Sequence, residues 1–276
     1  MLKENKIISI FCLVDDLLKA IGHQEDSRRK LSDSEIITTA IVSALYFGGH
    51  LDNARGFMKM TKLSPKMLDK SRFCRRLHNL EPILYSLFFQ VGQYLKDISG
   101  ARDYIIDSFP VAVCDNIRIA NCKILKGQQW RGKQCSMRRY FYGVKVQVLT
   151  TETGIPVEFG FVPGSESDVQ ALKKLPLSVA PESSIYGDSA YTDYTIEEDA
   201  KQGDDINLLI QRKSNSKRKD EPWMRFLKEY SRKRIETTFS EIKNLFLRKI
   251  HAVTFKGFLL KILMFIIAFT FNKLTV

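Results

Sequence analysis

The first hundred residues repeat apolar side chains every three or four positions, a pattern that predicts amphipathic helices. Ser32 and Glu35 form a capping-box signature before the apolar run 36–42, and Gly48-Gly49 is predicted to end that helix. Three further helices are predicted before a boundary at Ser99-Gly100: 53–60, a helix that Ser64 caps and Pro65 begins, and 82–98.

The helix predicted from Pro65 is strongly basic. Its cationic residues are Lys66, Lys70, Arg72, Arg75 and Arg76. Arg72, Arg75 and Arg76 share one face by their i, i+3, i+4 spacing. A helix, a short turn and a basic helix indicate a helix-turn-helix reader of DNA. The alternative is a helical bundle whose exposed face happens to be basic.

After residue 100 the pattern changes to short apolar segments that are typical of strands. Strands are predicted at 103–109, 112–119, 142–150, 184–188 and 206–211, an extended segment at 156–162, and helices at 167–174, 195–201 and from Pro222. The order β-β-β-α-β-α-β-α is that of a ribonuclease-H-like domain. The predicted fold class is therefore α/β: a helical DNA-binding domain over 1–100, then a ribonuclease-H-like catalytic domain over 101–276 with a mixed five-stranded sheet flanked by helices.

The composition is that of a soluble globular protein with a polyanionic partner. Hydrophobic residues make up 44% and charged residues 27% of the chain, and its formal net charge is +12. The apolar run 262–271 is shorter than the ~20 residues of a membrane span, so a buried core helix is predicted and no membrane partner. No G-x-x-x-x-G-K-[ST] loop occurs, so no nucleotide cofactor is predicted.

Three acidic residues stand where a metal site could form. Asp107 and Asp188 each end an apolar run, and Glu236 lies on the long last helix of the predicted catalytic domain. Strand-end carboxylates and a carboxylate on a crossing helix can hold two divalent cations, which prefer oxygen ligands and promote phosphodiester chemistry. The alternative is that these are ordinary surface acids, as we interpret Asp103, Asp115, Asp168 and Asp193.

Glu236 has cations on its own helix face. Arg232 lies four residues before it and Lys243 seven residues after it. We interpret Glu236 as a metal ligand flanked by two side chains that grip the DNA backbone. A solvated i, i+4 ion pair is the alternative.

A long basic segment separates the first two acids. Residues 116–151 contain no acidic side chain, yet they carry several cations with aromatic residues between them. Cations for phosphates and rings for bases predict a DNA-contacting surface. Its candidate DNA-binding residues are Trp130, Arg131, Lys133, Arg138 and Arg139.

Longer motifs surround the three acids in a fixed order. They are Ile106-Asp107-Ser108-Phe109-Pro110-Val111, Arg139-Tyr140-Phe141-Tyr142-Gly143, Tyr186-Gly187-Asp188-Ser189-Ala190-Tyr191 and Arg232-Lys233-Arg234-Ile235-Glu236-Thr237-Thr238-Phe239. At these residues the chain resembles the DDE transposases of bacterial insertion sequences, most closely insertion-sequence family 982. The resemblance spans most of residues 103–260.

The resemblance implies a function and its requirements. Asp107, Asp188 and Glu236 fall on the family's catalytic acids, which hold two divalent cations, Mg²⁺ or Mn²⁺. The family implies cleavage of double-stranded DNA at element ends and strand transfer to a target, within a homodimer or larger synaptic complex in the bacterial cytoplasm. Arg232 and Lys243 fit a wider Y-x-x-R-x-x-x-E-x-x-x-x-x-x-K signature, whereas Tyr230 lies one residue late. A structure-selective nuclease of the same fold, or an inactive DNA-binding relic, remains the alternative.

Overall fold

The computed structural model describes residues 2–134, 138–245 and 250–275. The chain forms two compact units, Met1–Phe88 with Ile242–Val276 and Phe89–Glu241. We call the first the helical unit and the second the sheet unit. The helices are α1 (Leu2–Ala20), α2 (Asp33–Tyr46), α3 (Leu51–Met60), α4 (Lys70–Asn79), α5 (Glu81–Ser99), α6 (Asp168–Leu172), α7 (Tyr194–Gly203), α8 (Pro222–Leu245) and α9 (Phe255–Leu274).

The predicted capping box at the start of α2 is confirmed. One of its residues also bonds to Ser64, which was predicted to cap a later helix. The Ser32 side chain accepts from the Glu35 N–H, and the Glu35 carboxylate accepts from the Ser32 N–H. The same carboxylate accepts from the Ser64 hydroxyl at 2.7 Å. Ser64 is therefore buried against α2 instead of capping a helix, and the predicted start at Pro65 is wrong. The helix α4 begins at Lys70, where Asp69 accepts from the Arg72 N–H.

The last helix, α9, belongs to the core of the helical unit. It is longer than predicted: it has 20 residues, and an 18-residue window within it has a mean hydropathy of 1.7, which would suffice by length and composition to cross a membrane. However, 67% of that apolar window is buried inside the protein, where α9 packs against α2. The predicted core helix is confirmed. Because of this packing, residues 242–276 group with the N-terminal helices, so the compact units do not follow the predicted boundary at residue 100.

The sheet unit is built on a mixed sheet of six described strands, one more than predicted. They are β1 (Asp103–Cys114), β2 (Arg131–Gln134), β3 (Arg139–Thr151), β4 (Pro156–Pro163), β5 (Ser184–Gly187) and β6 (Asn207–Ile210). Their order is β2-β3-β1-β5-β6, and β4 also pairs with β3. The strand β3 is antiparallel to β1, whereas β5 is parallel to both β1 and β6.

The strand β1 is continuous where two strands were predicted. Its pairing with β3 runs from Tyr104 to Cys114, with an irregularity between Ala112 and Cys114. The second predicted strand, 112–119, is therefore wrong beyond Cys114, and Asn116–Asn121 forms a 3₁₀ helix. One long strand thus carries both the core residues that hold the sheet together and Asp107.

A buried ion pair fastens α5 to the sheet within the sheet unit. The Lys96 ammonium donates to Glu158 at 2.5 Å and to the Ser178 carbonyl at 2.9 Å, and both charged side chains are almost fully buried. Glu158 also accepts from the Leu177 and Ser178 N–H groups. A buried charge needs this number of partners, because desolvation of each ion is costly.

We predict that Glu158→Ala destabilises the protein by about 3–5 kcal/mol, because it leaves the Lys96 charge buried without its counterion. Urea unfolding followed by circular dichroism measures the loss. Lys201→Ala is the matched control, since it breaks an exposed pair with Asp205 and should cost no more than about 1 kcal/mol. Equal losses in the two variants would contradict the structural role of the buried pair.

Candidate active site

Asp107 and Asp188 belong to neighbouring parallel strands. Asp188 directly follows β5, whereas Asp107 lies inside β1, so its predicted place at a strand end is wrong. The register of β1 and β5 places Ile105 opposite Tyr186. Asp107 lies two residues further along β1, and Asp188 lies two residues after Tyr186, just beyond the end of β5. Both residues line one small cavity of about 30 Å³. The structure thus brings two of the three predicted acids together.

Local backbone bonds orient both carboxylates. Asp188 follows β5 and caps the 3₁₀ helix Ser189–Tyr191, where its Oδ1 accepts from the Ala190 N–H at 2.7 Å. Oδ1 of Asp107 accepts from the N–H of the next residue, Ser108, at 2.7 Å. Each side chain is therefore positioned by its own segment of chain before any ligand binds.

A third carboxylate, that of Asp168, which we interpreted as an ordinary surface acid, is bonded to the residue that follows Asp107. Its Oδ1 accepts from the Ser108 hydroxyl at 2.7 Å and from the Lys145 ammonium at 3.2 Å. Burial raises the pKa of the Tyr191 hydroxyl well above its usual value, and the charges of Asp107, Asp168 and Asp188 raise this pKa further. Asp168 is itself paired with Lys145, so its charge is partly compensated.

The helix α8 carries Glu236 across the sheet unit. The Phe239 ring packs edge-on against Phe109, with centroids 5.5 Å apart. Thr238 lies so close to Gly154 that a Cβ on this glycine would meet its hydroxyl at 2.2 Å. Phe109 and Asp107 project from one face of β1, and Glu236 lies about one helical turn before Phe239. Glu236 itself is exposed, and it does not line the small cavity.

Lys228 is a further residue of the site that sequence reasoning missed. It lines the same cavity as the two aspartates, and only 5% of it is exposed. Its ammonium donates to the Ile210 carbonyl at 2.9 Å and to Asp220 at 2.6 Å. Lys228 therefore ties the first half of α8 to the end of β6. Lys228 lies eleven residues before Phe239, so the two residues share one face of α8. This spacing is the only feature of the sequence that indicates the burial of Lys228.

The predicted DNA-binding residues between the acids gather on a hairpin of β2 and β3. Arg131, Lys133, Arg138 and Arg139 are all exposed. Arg131 lies over the Tyr140 ring at 5.3 Å, and Lys133 is paired with Tyr140 across the strands. Trp130 is half-buried in the 3₁₀ helix that precedes β2. The hairpin thus presents cations with an exposed aromatic ring between them.

The three arginines of α4 have different environments. Arg76 donates to the Leu31 carbonyl at 2.6 Å and to the Asp33 carboxylate, so its guanidinium is engaged inside the helical unit. Arg72 pairs with Asp69 at 3.3 Å, and both side chains are exposed. Arg75 is exposed and donates to the Ser71 carbonyl at 3.3 Å. Arg72 and Arg75 therefore remain candidates for DNA contact on the outer face of α4, whereas Arg76 holds α4 in place.

Among the described residues, a group of three metal-ligand types occurs away from the predicted site. The ligand atoms of His23, Glu25 and Asp33 lie within 4.8 Å of one another in the helical unit. Glu25 is paired with Arg29, and Asp33 with Arg76. These guanidinium groups already neutralise the carboxylates, so we interpret the group as an ion-pair network. The side chains of Arg232 and Lys243 lie outside the described part of the chain.

These features define a class of α/β domain in which clustered carboxylates lie on a sheet that also carries a basic hairpin. Residues 99–252 match the family described as the transposase DDE domain, and since this match covers more than half of the chain, the protein belongs to that family. Comparisons with curated proteins and with solved structures gave no match. Family membership implies an enzyme that cuts or transposes DNA, and DDE domains typically use divalent metals.

We predict that Lys228→Met loosens α8, because it leaves the Asp220 carboxylate without its buried counterion. The expected loss of stability is about 3 kcal/mol, with faster amide hydrogen exchange along residues 222–231. Lys233→Met is the matched control, since Lys233 is exposed on the same helix and should change stability by no more than about 0.5 kcal/mol. Identical exchange in both variants would show that Lys228 does not position the helix.

Proposed function

We propose that this protein is a bacterial insertion-sequence transposase of insertion-sequence family 982. In this proposal it binds the ends of its element, cleaves them and transfers a strand to target DNA through Asp107, Asp188 and Glu236. The observation that carries the proposal is the shared cavity of Asp107 and Asp188, which lies inside the region that matches the transposase DDE domain. A metal-dependent reaction needs carboxylates gathered in this way.

The proposed fold of the sheet unit is ribonuclease-H-like. The sheet order and the mixture of one antiparallel and two parallel pairings around β1, β5 and β6 support it. So does the long helix α8, which packs on the face of β1 that carries Asp107. With this fold the third acid comes from a helix, as the sequence predicts.

The carboxylates fit divalent cations. Asp107 and Asp188 would hold Mg²⁺ or Mn²⁺, which prefer carboxylate oxygens, and Glu236 would complete the set from α8. Bound there, two such cations would activate a water and stabilise the leaving oxygen of a phosphodiester. The one ammonium that lines the cavity among the described residues, that of Lys228, is already bound to Asp220 and Ile210.

The chain's own residues orient the reacting groups. The N–H groups of Ser108 and Ala190 hold the two aspartates, and Lys228 holds α8. Cleavage of the element end by water leaves a 3′-hydroxyl, and attack of that hydroxyl on a target phosphodiester joins the two DNAs. Each step is an in-line displacement at its own phosphorus. In the first, water displaces the 3′-oxygen of the element end, and in the second the freed 3′-hydroxyl displaces a 3′-oxygen of the target strand, so one rigid arrangement of carboxylates serves both.

DNA binding is proposed for the basic hairpin and for the outer face of α4. Arg131, Lys133, Arg138 and Arg139 would contact phosphates, with Trp130 beside them, and Arg72 and Arg75 would contact DNA from the helical unit. Arg232 and Lys243 are proposed to grip DNA beside Glu236. Two element ends must be held together for joint insertion, so a homodimer or larger synaptic complex in the bacterial cytoplasm is proposed, without a nucleotide cofactor.

We predict that Asp188→Asn abolishes both cleavage and joining of element-end DNA, with a loss on the order of 10³-fold, because an amide cannot replace the charge of a metal-binding carboxylate. The amide oxygen still accepts the Ala190 N–H, so the fold is retained. Asp193→Asn is the matched control, since Asp193 caps α7 away from the cavity and asparagine caps equally well.

The same assay separates the alternatives. Joined product that is lost in Asp188→Asn supports a transposase, whereas cleavage without joining indicates a nuclease. DNA binding without either reaction, in Mg²⁺ and in Mn²⁺, indicates an inactive relic. Full activity of Asp188→Asn would reject the proposed site.

We predict that the double variant Arg131→Ala with Lys133→Ala weakens binding to all DNA sequences alike. Each lost phosphate contact should reduce the slope of log K against log salt by about 0.9. Fluorescence anisotropy at several salt concentrations measures this slope. The control is Lys201→Ala, which removes a cation that Asp205 already pairs. An unchanged slope in the double variant would place the DNA elsewhere.

A further inference from the structure

A second cavity lies in the helical unit and is much larger than the cavity that Asp107 and Asp188 line. Its volume is about 640 Å³, within the range of about 300–1,000 Å³ that small-molecule sites occupy. It is bounded by the end of α2, the start of α3, one face of α4 and the first half of α9. All of these elements belong to one compact unit.

The floor of this cavity is apolar. Ala44 of α2, Leu77 of α4 and Leu260, Met264 and Phe265 of α9 line it, and each of them is at most 5% exposed. These side chains are held by the core of the helical unit, so the floor is preformed. An apolar floor of this kind favours a ligand with a flat, weakly polar part.

The rim is polar and carries more positive than negative charge. Lys70 and Lys261 line it together with three histidines, His50, His78 and His251. The carboxylate lining it, Asp52, is neutralised by Lys70 at 2.7 Å and by Arg55 at 2.7 Å. Among the described residues, the cavity therefore has no uncompensated acid, and its rim suits an anion.

Two further features of the rim favour an anionic ligand. The Lys261 ammonium donates to the His251 carbonyl, which holds it at the rim. Burial lowers the pKa of Lys261 because it desolvates the charged form, and a bound anion would oppose that shift. The first turn of α3 also borders the cavity, and its N-cap residue His50 makes no side-chain capping bond. N–H groups at such a helix start are suited to phosphate.

We propose that this cavity binds a single nucleotide, with the base against the apolar floor and the phosphate at the rim of Lys70 and Lys261. An apolar floor with a cationic rim fits a base attached to a phosphate. The choice of a nucleotide over other amphiphilic anions rests on the proposed DNA function. The helix α4 supplies a link to DNA, because Lys70, Cys74 and His78 face the cavity while Arg72 and Arg75 lie on other faces.

Two sources could supply the nucleotide. One is an unpaired base that leaves the DNA stack while its phosphates remain in the strand. The other is a free nucleoside monophosphate. The chemistry of the site is the same in both cases, so the experiment tests the site first and the source second.

The first measurement is equilibrium dialysis of deoxyadenosine monophosphate against the full chain. Cys74→Phe extends a ring from α4 into the cavity, and Cys74→Ser is its matched control because it keeps the space open. We expect the wild type and Cys74→Ser to bind alike, and Cys74→Phe to bind at least about tenfold more weakly. Lys70→Gln should also lose about tenfold, whereas Lys59→Gln, at an exposed position of α3 outside the cavity, should lose nothing.

The second measurement compares three DNA duplexes: one with a single extrahelical base, one with an abasic site at the same position and one fully paired. Tighter binding of the extrahelical base, lost in Cys74→Phe, identifies DNA as the source. Binding of the monophosphate without preference among the duplexes identifies a free nucleotide.

The absence of nucleotide binding, equal binding by both Cys74 variants, or equal competition by decanoate would overturn the proposal. Nucleotide binding by a protein that neither cleaves nor joins DNA would reject the proposed function and leave this site standing.

Discussion

The parallel pairing of β1 with β5 is the constraint on which the candidate active site depends. Its register runs as far as Ile105 and Tyr186, and the residues two positions after these, Asp107 and Asp188, line one cavity. Asp168 accepts from Ser108, the residue after Asp107, and its charge is paired with Lys145. Carboxylates that meet on a sheet in this way are ligands that divalent cations prefer, so the arrangement fits the divalent metals that DDE domains typically use.

The candidate active site also depends on a fixed position of α8, because this helix carries the exposed Glu236. Two buried contacts flank Glu236 along the helix: Lys228 at the end of β6, and Phe239 against Phe109. Between these contacts the helix advances about 16 Å. The position of Glu236 is thus set by residues on either side of it, and neither of them is acidic.

Much of the sheet unit could be predicted from the sequence, because apolar runs mark the strands and strand ends mark the acids. The mixed sheet is confirmed. Asp107 and Asp188 were predicted because each ends an apolar run, and the structure brings both to one cavity, although Asp107 lies inside β1. The sequence could not show that Ser64 bonds to Glu35, that Arg76 bonds to Asp33, or that Lys228 is buried. Each of these depends on a partner distant in sequence, and local propensity carries no information on such partners.

Partners distant in sequence also decide which cations are available to contact DNA. A positive residue in the sequence counts equally toward the net charge whether it is paired or exposed. In the structure, Lys96, Lys228 and Arg76 are bound to carboxylates inside their units, so they contribute stability and little external field. Arg131, Lys133, Arg138 and Arg139 are exposed together on one hairpin. A phosphate backbone responds to the local density of such exposed charge, so in the proposed DNA binding the hairpin would matter more than the net charge of +12.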